Sequence, residues 1–413
     1  MNIWMFNENA YAPDMPGGTR HFDFAHELVK LNHDVTIFAT SFHHHRHQEM
    51  RLSQEEKWKI EDINGVRFVW IRTPPYMKND RHRVWNHMVF TYRIWMVGKK
   101  IPTLTLDLKK PDIIIGSSPH LLTPLAAYQL ARFFHIPFIF EIRDLWPQTL
   151  IDMGAMRSKN PVALVLKALE IFLYKGSDHI VTLLPLAHEY ITKCGVQGEK
   201  ISWIPNGVDL SRFNLETLTH KNHEGFTVMY LGAHGQANAL DVLLDAAKII
   251  QDRGIRGIII SLRGDGPEKK SLIAKKEDLG LNNVIFEDSV PKNVVPTILS
   301  ESDAFIFNLD DVAVFKYGIS PNKLMDFLAA GKPVISSVTA PRNPVEEAEC
   351  GYIIPYKDPQ AMASAILSLY NKTADERQEM GQRGREYVET YHDISLLAKK
   401  FEATLLQFVP SNT

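Results

Sequence analysis

The sequence predicts an α/β protein of two domains, each a parallel sheet flanked by helices. Three observations lead there. Short apolar runs of strand length alternate with longer helical patterns along the chain, the order that produces parallel sheets. The series runs through once and restarts near the middle. And 413 residues exceed what one hydrophobic core usually supports.

In the first half the strand-like runs are 2–7, 34–40, 66–72, 112–118, 137–143 and 179–184. Several are apolar without interruption, as Ile113, Ile114 and Ile115 show, which suits strands covered on both faces. Helical patterns fill the intervals at 22–31, 123–134 and 161–175. The second series comprises 227–232, 257–262, 284–286, 304–309, 333–337 and 352–355. Its first helix carries Leu240, Leu243, Leu244 and Ala247 at i, i+3, i+4 and i+7. Ile204-Pro-Asn-Gly-Val-Asp209 and the polar stretch 215–225 mark the join, because Asn-Gly favours a tight turn and the polar stretch has no apolar period. The expected division is 1–205, 206–390 and a C-terminal helix over 391–413. Leu397, Phe401, Leu405 and Phe408 give that helix one face to bury, against either domain.

Composition excludes several classes. An apolar fraction of 45% and a charged fraction of 23% are those of an ordinary globular protein. A net charge of −2 argues against a nucleic-acid partner. Cys194 and Cys350 are too few for a disulfide framework or a cysteine-rich metal site, and fit a reducing cytoplasm. No secretory signal pattern follows Met1, and no apolar run reaches the roughly 18 residues that a membrane span needs. Attachment to a membrane surface stays open.

Five segments carry chemistry. Pro16-Gly-Gly-Thr19 lies between the first strand and a helix, where Gly17 and Gly18 let backbone N–H groups approach an anion; the alternative is a plain turn. Glu141, Arg143 and Asp144 crowd the carboxyl end of an apolar strand, either as cleft residues or as a structural Arg143 pair. Arg263 and Gly264 occupy the equivalent strand end in the second half, where a guanidinium suits a phosphate oxygen. Ser320-Pro-Asn-Lys323 reads as a helix start, with Ser320 as N-cap and Pro321 in the first turn. There Asn322, the Lys323 charge and free helix N–H groups form a cradle for a diphosphate, while Asp326, one turn on, suits ribose hydroxyls. A capped amphipathic helix alone explains Ser320 and Pro321 but not the three polar residues together. Finally, the stretch 78–100 interleaves Arg81, Arg83 and Arg93 with Trp85 and Trp95, a pattern for lying in a membrane interface or for a helix with a basic face. No Asp-x-Asp pair exists to clamp a metal-bound nucleotide, and the histidines from His43 to His47 read as a solvated loop.

In this order the motifs resemble the family 4 glycosyltransferases (GT4) of the GT-B fold. The resemblance rests on Gly17-Gly18, Ile204-Pro-Asn-Gly-Val-Asp-Leu-Ser-Arg-Phe213, Leu328-Ala-Ala-Gly-Lys-Pro-Val-Ile335 and Cys350-Gly-Tyr-Ile-Ile-Pro355 with Asp358. Arg143-Asp-Leu-Trp-Pro147 and Pro321-Asn-Lys323 look like the bacterial subgroup of WbuB-type transferases of N-acetyl-L-fucosamine. It implies Rossmann-like domains with sheets facing across a closing cleft. It also implies retaining, metal-independent transfer from a UDP-sugar, with no other cofactor. The donor sugar would be N-acetylated or 6-deoxy. The acceptor would be saccharide or undecaprenyl-diphosphate-linked, for O-antigen or other surface polysaccharide, at the inner face of the plasma membrane. Departures matter: Ala233 and Asn238 stand where many members carry a phosphate-binding Arg and Lys, Gly318 replaces the first Glu of a Glu pair, and Arg143 replaces a cleft His. Phosphate binding therefore shifts to Lys323, Arg263 and the backbone near Ser320. The competing readings are a UDP-sugar 2-epimerase of similar fold and a catalytically silent nucleotide-sugar-binding scaffold.

Overall fold

The computed structural model describes residues 1–44, 46–104, 108–214 and 225–409. Among them the first half forms β1 (Asn2–Phe6), β2 (Asp34–Thr40), β3 (Phe42–His43), β4 (Gln48–Glu49), β5 (Trp58–Ile63), β6 (Val66–Ile71), β7 (Ile113–Ser117), β8 (Phe138–Ile142), β9 (His179–Thr182) and β10 (Ile201–Trp203). Eight of these make one sheet in the order β10-β9-β8-β7-β1-β2-β6-β5. The second half adds β11 (Phe226–Leu231), β12 (Ile258–Arg263), β13 (Val284–Glu287), β14 (Ala304–Phe307), β15 (Val334–Ser336) and β16 (Gly351–Ile353), in the order β13-β12-β11-β14-β15-β16. This second sheet is parallel throughout.

Every run read as a strand is one, and the apolar runs are buried on both faces as expected. Trp4 and Phe6 enter one core with Phe38 and Ile114, while Ile3 and Met5 point into the other with Ile37 and Ile115. The second sheet divides likewise, with Val228 and Tyr230 on one side and Met229 and Leu231 on the other. The period of two that separates these pairs is the strand's own geometry.

Three features went unread in the sequence. β5 is an antiparallel edge strand, joined to β6 by Asn64-Gly65, both at positive φ (53° and 82°), a two-residue hairpin turn. β10 extends the opposite edge. The histidine segment begins on an antiparallel hairpin, β3 with β4, so it is not a solvated loop; His45 and most of the polar stretch 215–225 lie outside the described residues.

The C-terminal helix Ile394–Leu406 packs on the first half, with Phe401 edge-on to Phe24 at 5.5 Å and His33 Nε2 at 2.6 Å from Glu402. The chain thus crosses between halves twice, at 204–208 and again near His392, and the crossings are bonded to each other. Val208 N–H donates to His392 O (2.9 Å), and His392 Nδ1 donates to Asn206 O (2.8 Å).

One buried arginine anchors the first crossing. Arg20 sits in the first turn of helix Arg20–Lys30, and its guanidinium donates to Ile204 O (2.9 Å), Pro205 O (2.5 Å) and Glu141 Oε1 (3.0 Å). The other Glu141 oxygen accepts from Ser117 Oγ (2.6 Å) and His21 Nε2 (3.0 Å). Burial raises the Glu141 carboxyl pKa, but Arg20 and His21 outweigh it and hold the group well below the usual range. Glu141 is therefore saturated beneath the sheet edge, a correction to its reading as a cleft residue, and its partner is Arg20 rather than Arg143. We predict that Glu141→Gln, which strands a buried guanidinium, lowers unfolding free energy by about 3–5 kcal/mol in urea titration. A loss under about 1 kcal/mol would show the tie to be incidental.

Candidate functional site

The two sheets present their carboxyl ends to a shared cleft that holds a pocket of about 350 Å³. Its wall joins the loop after β1 to the ends of β11 and β12 and the start of helix Asn322–Ala329. Gly17, Gly18, Arg263, Gly264, Pro321, Asn322, Lys323 and Asp326, far apart in the chain, all line it.

Lys323 dominates its electrostatics. Its ammonium donates to Asn238 Oδ1 (2.6 Å) and Tyr230 Oη (2.9 Å), and lies 4.5 Å from the Tyr230 ring centroid. Both acceptors are oriented by one carbonyl: Ala233 O takes the Tyr230 hydroxyl (2.7 Å) and the Asn238 amide (2.9 Å), which turns their remaining oxygens toward Lys323. Neither acceptor is charged, and burial pushes the Lys323 pKa down to about 7. Ala233 and Asn238, the positions noted as departures, thus build the seat of this lysine.

Glycine is required where backbones meet. Gly17 has φ +128°, and a Cβ there would come 2.5 Å from the Tyr11 ring; one on Gly18 would come 2.6 Å from Asn322 Nδ2 across the cleft. Gly264, at φ +154°, lies against the Gly232 carbonyl. Gly17, Gly18 and Gly264 thus line the pocket without side chains of their own.

Several expected residues are engaged otherwise. Ser320 is not the N-cap, which is Pro321; its hydroxyl accepts from Asn206 N–H (2.8 Å) and its carbonyl from the Asn206 side chain, so it ties the crossing to the helix. Arg263 reaches the pocket wall, but its guanidinium is paired with Glu287, Nε at 3.2 Å from Oε2, and is no free phosphate donor. Asp326 is buried and gives one oxygen to Lys292. Arg143 and Asp144 follow β8 outside this pocket, their N–H groups held by Ser118 Oγ (2.8 and 3.3 Å). Arg143 Nε is buried with no hydrogen-bond partner among the described residues.

His43 and Arg46 line the pocket and were missed. His43 is buried, donates to Pro16 O (2.9 Å) and stacks on Tyr11 at 4.7 Å, buttressing the glycine loop. The run of histidines was the signal, and its polarity concealed the burial.

The basic-aromatic stretch becomes helix Arg81–Leu104, with Phe90 and Ile94 inward. Arg81 and Trp85 are exposed with Val84, Met88 and Tyr92, Arg83 is half-exposed and bonds Asn79 Oδ1 (2.6 Å). Arg93 turns aside to reach Arg72 O, a correction to its reading as an interface residue, while Trp95 shares the face of Met88 and Tyr92 but is half-buried against the core, with Lys99 Nζ 4.4 Å from its ring centroid. Helix Pro161–Gly176 exposes a second apolar set, Val162, Leu164, Val165 and Phe172. No helix among the described residues is long and apolar enough to cross a membrane.

Residues 17–212 match the profile of Glycosyltransferase Family 4, and residues 225–372 that of Glycosyl transferases group 1. End to end these two glycosyltransferase profiles take in most of the chain, and the fold is that of the GT-B glycosyltransferases. Among named relatives it is 24% identical over 244 residues to WcaL of Salmonella typhimurium, a protein named for colanic acid biosynthesis, covering 57% of this chain and 58% of that one. The match thus spans little more than half that relative's length. Similar solved folds include sucrose-phosphate synthase from Thermosynechococcus elongatus (TM-score 0.73, 15% identity, 98% of each chain). Another is Anabaena HepE in complex with UDP-glucose (TM-score 0.68, 12% identity, 98% of this chain and 100% of that one).

The depressed Lys323 pKa has a consequence for the free protein. Between about pH 7 and the ordinary lysine value of 10.5, the unfolded chain holds a proton that the folded chain has released. Stability contributed at this site therefore rises with pH across that window, by up to about 1.4 kcal/mol per pH unit. The unfolding free energy of wild type minus that of Lys323→Met, measured by denaturant titration, should rise with that slope between about pH 7 and 10; a flat difference would contradict it.

Proposed function

We propose that the chain transfers a sugar from a UDP-sugar to a saccharide or lipid-diphosphate-linked acceptor in bacterial surface-polysaccharide assembly. The observation that carries this reading is Lys323: an ammonium held by neutral oxygens at the floor of a pocket that also offers glycine backbone and a helix N-terminus. That combination suits a diphosphate, whose charge returns the lysine to its protonated form. Anabaena HepE, of the same fold, is described with UDP-glucose.

In this reading the diphosphate lies between Lys323, the first N–H groups of helix Asn322–Ala329 and the Gly17-Gly18 loop. Leaving-group charge is met by these fixed donors rather than by an ion. The route is retaining and needs no enzyme nucleophile. Asp144 and the unsatisfied Arg143 Nε orient the acceptor, and Asp326, steadied by Lys292, accepts a ribose hydroxyl. The exposed Trp85 face, with Arg81 and Arg83, holds the protein to an anionic inner-leaflet surface.

Calorimetry with UDP tests the site. Lys323→Ala should weaken binding about ten- to a hundredfold, the worth of a charge-assisted hydrogen bond, and unchanged affinity would show the cradle to be misplaced. UDP should be released from a UDP-sugar only when a saccharide or lipid-diphosphate-linked acceptor is supplied; epimer formation without acceptor would overturn the reading. Trp85→Ser with Met88→Ser should release the protein from anionic vesicles in sedimentation, and full retention would remove the membrane contact.

A further inference from the structure

Glu8, His87 and His120 belong to none of the arrangements above and line no part of the 350 Å³ pocket. They come from three separate places: Glu8 just past β1, His87 on helix Arg81–Leu104 and His120 just before helix Leu122–Phe134. Their polar atoms nonetheless converge. His87 Nδ1 is 2.6 Å from Glu8 Oε2, His120 Nε2 meets the same oxygen, and the three atoms lie within 4.8 Å of one another. The side chains of Glu8 and His120 are 3% and 7% exposed, that of His87 13%.

We propose that Glu8, His87 and His120 bind a divalent transition-metal ion of the zinc class. Two imidazoles and one carboxylate are the nitrogen and oxygen donors such an ion takes, and three protein ligands leave a four-coordinate ion one position for water or a substrate oxygen. Without an ion, Glu8 Oε2 accepts from both rings; an ion between the three groups would replace those two hydrogen bonds.

The site stands apart from the donor pocket, so its test does not depend on the transferase reading. Protein freed of metal by chelator is dialysed against Zn²⁺, and bound zinc is measured by elemental analysis. The wild type should retain one equivalent and melt at higher temperature with Zn²⁺ than without. Glu8→Gln and His120→Gln should lose that equivalent. His87→Gln, at the more open position and shown folded by circular dichroism, should bind at least about tenfold more weakly. A control bearing His44→Gln and His47→Gln should keep the equivalent, and UDP affinity should be unchanged throughout. Equal zinc in wild type and His87→Gln, no zinc in the wild type, or loss of zinc only in the control would each overturn the proposal.

Discussion

A half-buried ammonium with only neutral partners is the constraint on which the second half's cleft face depends. Desolvating Lys323 is costly, and nothing in its immediate shell repays that cost with opposite charge. The surrounding residues limit the cost by orientation instead: the Ala233 carbonyl fixes Tyr230 and Asn238 so that each turns an oxygen toward Nζ. A site that tolerates this in the free protein is prepared for an anion. Of the other charged groups lining the pocket, Arg263 is paired with Glu287, Lys292 with Asp326 and Asp265 with Lys269, and Arg46 lies exposed at its side.

The first half serves that pocket through backbone rather than charge. Gly17 and Gly18 bring main chain close to Tyr11 and Asn322, and His43 bonds Pro16 from below. Their position is tied to the other half through Arg20, whose guanidinium grips both Glu141 and the carbonyls of the crossing, and through Asn206, which bonds Ser320. The residues that open helix Asn322–Ala329 and those that connect the halves are thus one hydrogen-bonded chain. Arg212 adds an ion pair to Asp23 across the same join.

The strands were legible because uninterrupted apolar runs such as Ile113–Ile115 have few other uses in a chain of this composition. β5 was not read: Asn64-Gly65 marked a turn, but the mixed polarity of an edge strand hid the strand before it. At the site, periodicity and turn chemistry located Gly17-Gly18, Gly264 and Pro321–Lys323. Partner choice was beyond them. Whether Arg263 faces a ligand or Glu287, whether Glu141 meets Arg143 or Arg20, and whether Ser320 caps its own helix or holds Asn206 depend on neighbours more than twenty residues distant. Asn238 looked like a loss relative to the family pattern and is instead the acceptor that seats Lys323.

The central claim is that Lys323 is the anion anchor and gains its proton from the ligand. Calorimetric titration of UDP near pH 7, in buffers of differing ionisation heat, measures the protons taken up on binding. The account predicts uptake of a substantial fraction of one proton by the wild type, falling to none in Lys323→Met. Tight UDP binding with no proton uptake, or uptake that persists in Lys323→Met, would contradict it.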